Sequence, residues 1–158
     1  MIRAYTKTRA TFKIGCIMLH GINPLLGPDL LHCLRSMGHG DELAIVDGNY
    51  PAEAHAKRLI RCDGHCVPDI LRAVLSVLPI DNSTDSLSHA VNIDNPSKKE
   101  LIHEEMSDTV EKCGVNKKIT PQMPEIFYER VRNCYAVIAT SESALYGNIV
   151  LRKGVIET

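Results

Sequence analysis

No stretch of this 158-residue chain approaches the ~20 apolar residues a membrane-spanning helix needs, because charge, glycine or proline breaks every run. No membrane span is expected, and the reading is of a soluble protein. An excess of charge of either sign is also lacking. With 18 basic against 19 acidic residues, the formal net charge is -1, which leaves no basic stripe for phosphate backbones and no acidic tail. Nucleic acid is therefore not expected as a partner. The six cysteines lack tandem spacing and follow no secretory signal pattern, which argues for reduced thiols in a cytoplasmic protein. No internal repeat, low-complexity segment or heptad pattern is present. The length suits one domain with one complete core.

Acidic residues are missing from Met1 to Ile17, which carries Arg3, Lys7, Arg9, Lys13 and three threonines. That composition fits a mitochondrial targeting segment, an upstream start ahead of Met18, or a disordered extension. Residues 18–158 are expected to form the domain.

Within it, helices and strands alternate. Gly27-Pro28-Asp29 opens a helix whose buried face is Leu30, Leu31, Leu34 and Met37, and Gly38 is expected to close it in a left-handed conformation. Leu43 to Val46 is a continuous apolar run, the pattern of a strand covered on both faces. Leu59 to Arg61 reads as a short strand, Asp63-Gly64 as a turn, and Ile70, Leu71, Val74, Leu75 and Leu78 as a helix begun at Pro68 and stopped by Pro79. Leu87 to Ile93 is a loosely alternating strand. Ser97-Lys98-Lys99-Glu100 fits a capping box for a helix running to Cys113, with Glu104, Glu105, Asp108, Glu111 and Lys112 on its solvated face. A strand at Lys117 to Thr120, a helix from Glu125 to about Asn133, and strands at Ala136 to Thr140 and Asn148 to Leu151 complete the chain. The alternation implies an α/β single-domain sandwich, a largely parallel sheet flanked by helices.

Two residues bracket the central strand. His39 stands in the turn before it, and Asp47 ends it at the carboxyl end, where open α/β sheets tend to bind ligands. Histidine is the side chain that can both donate and accept a proton near neutral pH. A histidine after a helix is as readily a cap or a solvated residue, and an aspartate at a strand end also caps turns. Asp81 follows Pro79 in a loop and has the same two readings. Tyr128 and Tyr146 read as core residues with a satisfied hydroxyl or as donors to a ligand, and Tyr146-Gly147-Asn148 as an ordinary hairpin turn. Cys62, His65 and Cys66, with His55 upstream, have a spacing that admits zinc. No second paired set exists and Asp63-Gly64 is already explained as a turn, so no metal is expected. His20, His32, His89 and His103 read as solvent or satisfied interior histidines.

Several motifs in order carry a resemblance. They are Met18-Leu19 through Pro24-Leu25-Leu26, Met37-Gly38-His39-Gly40-Asp41-Glu42, Asp47, Arg61-Cys62-Asp63-Gly64, Phe127-Tyr128-Glu129-Arg130 and Leu145-Tyr146-Gly147-Asn148. Together they resemble the fucose mutarotase branch of the ribose pyranase and fucose mutarotase family, from Met18 to Ile156. The resemblance implies a ribose pyranase-like α/β fold and a cofactor-free interconversion of the α and β anomers of L-fucopyranose. It also implies a homo-oligomer with sites at subunit interfaces. By the same resemblance, His39 is the proton donor, and Asp47, Asp81, Tyr128, Tyr146 and Asn148 bind the monosaccharide. One position departs from the pattern: relatives usually carry an arginine where Pro124 stands. Pyranose–furanose interconversion of ribose and a non-catalytic sugar-binding oligomer are the alternatives.

Overall fold

The computed structural model describes residues 18–156; the expectations for Met1 to Ile17 lie outside the described residues. The elements alternate as α1 (Pro28–Ser36), β1 (Glu42–Val46), α2 (Ala52–His55), β2 (Leu59–Cys62), α3 (Val67–Leu75), β3 (Leu87–Ala90), α4 (Leu101–Lys112), β4 (Thr120–Gln122), α5 (Pro124–Asn133), β5 (Ala136–Thr140) and β6 (Ile149–Arg152). One six-stranded sheet has the order β2-β5-β1-β6-β3-β4. All neighbouring pairs are parallel except those made by β6, which runs antiparallel to β1 on one side and β3 on the other.

The period of two in the strands divides the core between the sheet's faces. Leu43, Ile45, Ala136, Ile138, Ile149 and Leu151 meet α1, α3 and α4, where Leu30, Leu34, Ile70, Leu71, Met106 and Val110 are buried. The alternate residues Ala44, Val46, Val137, Ala139 and Val150 meet Phe127 and Val131 of α5 and Ala52 of α2. Continuous apolar strands are thus the consequence of helices on both sides.

Proline opens three of the helices, Pro28 in α1, Pro68 in α3 and Pro124 in α5, at positions whose missing N–H has no partner to lose. Pro124, standing where the resemblance led to an arginine, therefore has a local role as a helix start.

Four local expectations are corrected. Gly38 does not close α1: the cap is Met37 in an extended conformation, the Lys153 ammonium takes the carbonyls of Leu34 and Met37, and the left-handed glycine is Gly40 at φ 85°. The capping box does not form, because the α4 N-cap is Glu100 itself, whose carboxylate is engaged by Lys98 and Asn92. The strand expected at Lys117 to Thr120 lies at Thr120–Gln122; it tolerates Pro121 because β4 is a sheet edge. Tyr146-Gly147-Asn148 is not a hairpin turn, since β5 and β6 are not neighbours but flank β1 from either side.

That last arrangement builds the site. The chain from Ser141 to Asn148 must arch over the carboxyl end of β1 to pass from β5 to β6, and so lies directly against Asp47.

Candidate active site

At the carboxyl end of β1, Asp47 is 5% exposed and Asn148 3% exposed. The Asp47 backbone N–H donates to Asn148 Oδ1 at 2.8 Å, and Asp47 Oδ1 accepts from the N–H groups of Asn49 (2.8 Å) and Tyr50 (3.0 Å). Burial pushes the Asp47 carboxyl above the usual carboxylate range against these hydrogen bonds, and the nearby Glu142 charge adds to the rise. The overhead loop is pinned by the Gly48 N–H donating to the Glu142 carbonyl at 2.8 Å. Tyr128, on α5, packs edge-on against Tyr50 with ring centroids 4.9 Å apart. Burial, the Asp47 charge and Tyr146 together raise the Tyr128 phenol, which stays a neutral hydrogen-bonding group. The Tyr146 hydroxyl accepts from the Ile93 N–H at 3.4 Å, leaving its own proton free to donate. Tyr50 and His55, the latter considered in the sequence only as a metal ligand, complete the wall: their side chains are bonded at 2.9 Å between the phenol oxygen and Nδ1.

The other end of β1 holds the histidine. His39 is held on its bend by the Gly38 N–H donating to Asp41 Oδ2 (2.7 Å) and the Gly40 N–H donating to the Lys153 carbonyl (2.8 Å). Its side chain is 60% exposed, and its Nε2 lies 2.8 Å from Asp81 Oδ2. Ser83, through its hydroxyl and its N–H, and then His39 hold the Asp81 carboxyl well below the usual range, so it is ionised and accepts from Nε2–H. The free ring nitrogen is then Nδ1. Beside the pair opens a groove of about 640 Å³, also lined by Lys57, Arg58, Tyr135 and Arg152. That size is ordinary for a small-molecule site.

Along the groove, which Glu42 and Arg152 help to line, runs a charged network that sequence reasoning missed. Glu42, at the start of β1, accepts from Arg130 Nε (3.0 Å) and Nη2 (2.6 Å) and from Arg152 Nε (3.0 Å). Arg152 also reaches Ser83 Oγ (3.2 Å) and Asp85 Oδ1 (3.1 Å), which ties the network to the loop carrying Asp81. Arg130 belongs to the Phe-Tyr-Glu-Arg motif, but its contacts are structural.

The structure thus assembles two groups. Asp47, Tyr128, Tyr146 and Asn148 come together at one end of β1; His39 and Asp81 come together at the other. A five-residue strand separates them by roughly 16 Å at about 3.3 Å per residue, too far for one monosaccharide to touch both within one chain. Asp81, read from the resemblance as a sugar ligand, is engaged with His39. Among the described residues, no three His, Cys, Asp or Glu side chains converge as a metal would require. Cys66 Sγ instead donates to Asp69 Oδ2.

The model of the RbsD / FucU transport protein family matches residues 20–156. The chain belongs to that family. The fucose mutarotase of Homo sapiens is 38% identical over 148 residues, covering 89% of this chain and 96% of the human protein. That of Danio rerio is 37% identical over 146 residues, with 89% and 95% covered. Among solved structures, the fucose mutarotase of Streptococcus pneumoniae in complex with L-fucose superposes with a TM-score of 0.81 at 38% identity, covering 88% of this chain and all of that one. Bacillus subtilis RbsD complexed with D-ribose, at 20% identity and a TM-score of 0.70, shares the fold. The overall fold is shared with these solved structures. No helix among the described residues is long and apolar enough to cross a membrane.

Proposed function

We propose that this member of the RbsD / FucU family is an isomerase that interconverts the α and β anomers of L-fucopyranose. The observation that carries the reading is an exposed imidazole fixed through Nε2 by an ionised carboxylate, with Nδ1 left without a partner, in the lining of a groove large enough for a monosaccharide. The similarity to proteins named fucose mutarotase supports the choice of sugar.

The chemistry needs no cofactor. Nδ1 of His39 takes the proton of the anomeric hydroxyl as the bond from C1 to the ring oxygen breaks, and the imidazolium delivers that proton to the ring oxygen. The open-chain aldehyde rotates about C1–C2, and reclosure on the other face reverses both transfers. Asp81 keeps the tautomer and the ring orientation constant. Asp47 accepts sugar hydroxyls, while Tyr128, Tyr146 and Asn148 donate or accept along the ring. General acid–base catalysis of this kind contributes roughly 10²–10⁴-fold.

Because the two groups lie at opposite ends of β1, the working site is built from two copies of the chain, with the His39 groove of one facing the Asp47 cluster of the other. The protein is accordingly a homo-oligomer. Its domain is residues 18–158, with 1–17 an extension, and it works in the cytoplasm, a placement that five free thiols among the described residues support.

Saturation-transfer NMR of L-fucose tests the reading. Wild-type protein should speed anomer exchange, and folded His39→Ala should lose that acceleration. Exchange accelerated on ribose but not on fucose would redirect the assignment to a pyranase, and no acceleration of either sugar by folded wild type would leave a binding role.

A further inference from the structure

Tyr146 is the one non-glycine residue with a positive φ among the described residues, at 61°. A bulky side chain adopts the left-handed region only where its surroundings over-determine it. The residue that follows leaves no freedom either: a Cβ on Gly147 would lie 2.9 Å from Glu142 Cγ and 3.3 Å from Ile102 Cγ1. The surroundings are supplied by α4. His103, only 7% exposed, has its Nε2 3.2 Å from the Tyr146 carbonyl oxygen, which meets no other donor among the described residues. The His103 ring lies on the ring of His89, centroids 3.9 Å apart and planes 37° apart, and Nδ1–H of His89 is anchored on the Ala90 carbonyl at 3.0 Å. A chain of contacts therefore runs from β3 through His89 and His103 to the peptide of Tyr146.

We infer that His103, backed by His89, is a positioning residue: it donates Nε2–H to the Tyr146 carbonyl, locks that residue in its left-handed conformation, and so sets where the phenol meets the sugar. The part concerning sugar rests on the proposed mutarotase reading. The geometry distinguishes this role from packing alone. An apolar side chain of similar size would fill the space between α4 and the loop but leave the half-buried carbonyl without its protein partner, and the loop would turn to recover one. His103 touches neither substrate nor His39, so its loss should appear in sugar affinity before turnover.

The experiment compares His103→Leu with His103→Gln, whose amide nitrogen reaches the position of Nε2. In saturation-transfer kinetics on L-fucose, His103→Leu should raise KM by about tenfold with a smaller change in kcat, and His103→Gln should recover most of the loss. Equal KM values in both variants and wild type would overturn the positioning role. Two readouts stand apart from activity. Nitrogen-15 NMR of wild-type protein should find His103 as the Nε2–H tautomer, and a crystal structure of His103→Leu should find Tyr146 moved out of the left-handed region. An Nδ1–H tautomer, or an unmoved Tyr146 in a folded His103→Leu protein, would refute the lock. If wild-type protein fails to exchange fucose while the tautomer and conformation are as stated, the lock stands and the mutarotase reading falls. Should His103→Leu not fold, the tautomer and the Gln variant still decide.

Discussion

Nε2 of His39 lies 2.8 Å from Oδ2 of Asp81, and the aspartate is held ionised by Ser83 as well as by the histidine. The pair leaves a single imidazole nitrogen, Nδ1, for exchange with a substrate. Replacing the carboxylate by an amide keeps the size but loses the charge, and an amide can turn its NH₂ toward the ring. Asp81→Asn should lower kcat by roughly ten- to a hundredfold with little change in KM, and saturation-transfer kinetics on L-fucose would check it. An unchanged kcat would leave Asp81 as a loop cap.

The separation of His39 from Asp47 along β1 makes the assembly testable by mixing. His39→Ala and Asp47→Asn proteins should each be nearly inactive alone. Co-refolded in equal amounts, they should regain activity in about a quarter of the sites, because some interfaces unite an intact His39 with an intact Asp47. No recovery in correctly assembled mixtures would mean that both residues act from the same chain.

Arg130 is 10% and Glu42 15% exposed at their side chains, and their pairing is bidentate. Truncating one partner of such a pair strands the other, so Arg130→Met should destabilise by about 3 kcal/mol in urea unfolding. Arg152 remains on Glu42 and holds the loss to the lower end of that range.

Phe127 is fully buried between α5 and the sheet. Phe127→Ala should cost about 3–5 kcal/mol, which a thermal or urea melt would register as a large drop. Tyr128, its neighbour in sequence, lies over the Asp47 cluster, so the same variant should also weaken sugar affinity.

The stacked histidines set an acid limit on stability. Burial lowers both His89 and His103 below the ordinary histidine value; the Ala90 carbonyl opposes the shift at His89, to which His103 adds, and the Tyr146 carbonyl and then Glu100 oppose it only in part at His103. The unfolded chain then takes up protons first, near pH ~6.5, so stability falls as the pH drops through that value and below. Melting temperatures measured from pH 7.5 to 5 should show the decline, and His89→Gln should flatten it.

Much of the fold was legible in local pattern. Leu43 to Val46 and Ala136 to Ala139 are unbroken apolar runs, and such runs become strands buried on both faces. Pro28 and Pro68 mark helix starts wherever they stand. The failures came from partners both distant and near in the sequence. Gly38, a natural helix terminator, lost its role because Lys153, more than a hundred residues away, caps α1 instead. Ser97 lost the capping box because Glu100 found Lys98 and Asn92.

The candidate site divides along the same line. The sequence by itself determined the chemistry on offer: a histidine in a tight turn, an aspartate at a strand end, two tyrosines and an asparagine in motifs resembling a sugar isomerase. Only the tertiary structure decided their partners. Sheet order is set by packing between distant segments, and by inserting β6 beside β1 it throws the 141–148 loop over Asp47 while Asp81 is drawn to His39 at the far end. Side-chain spacing in sequence carries no record of which end of a strand a distant loop will cover, so neither the split of the site nor the His103 brace on Tyr146 could be read before the chain was folded.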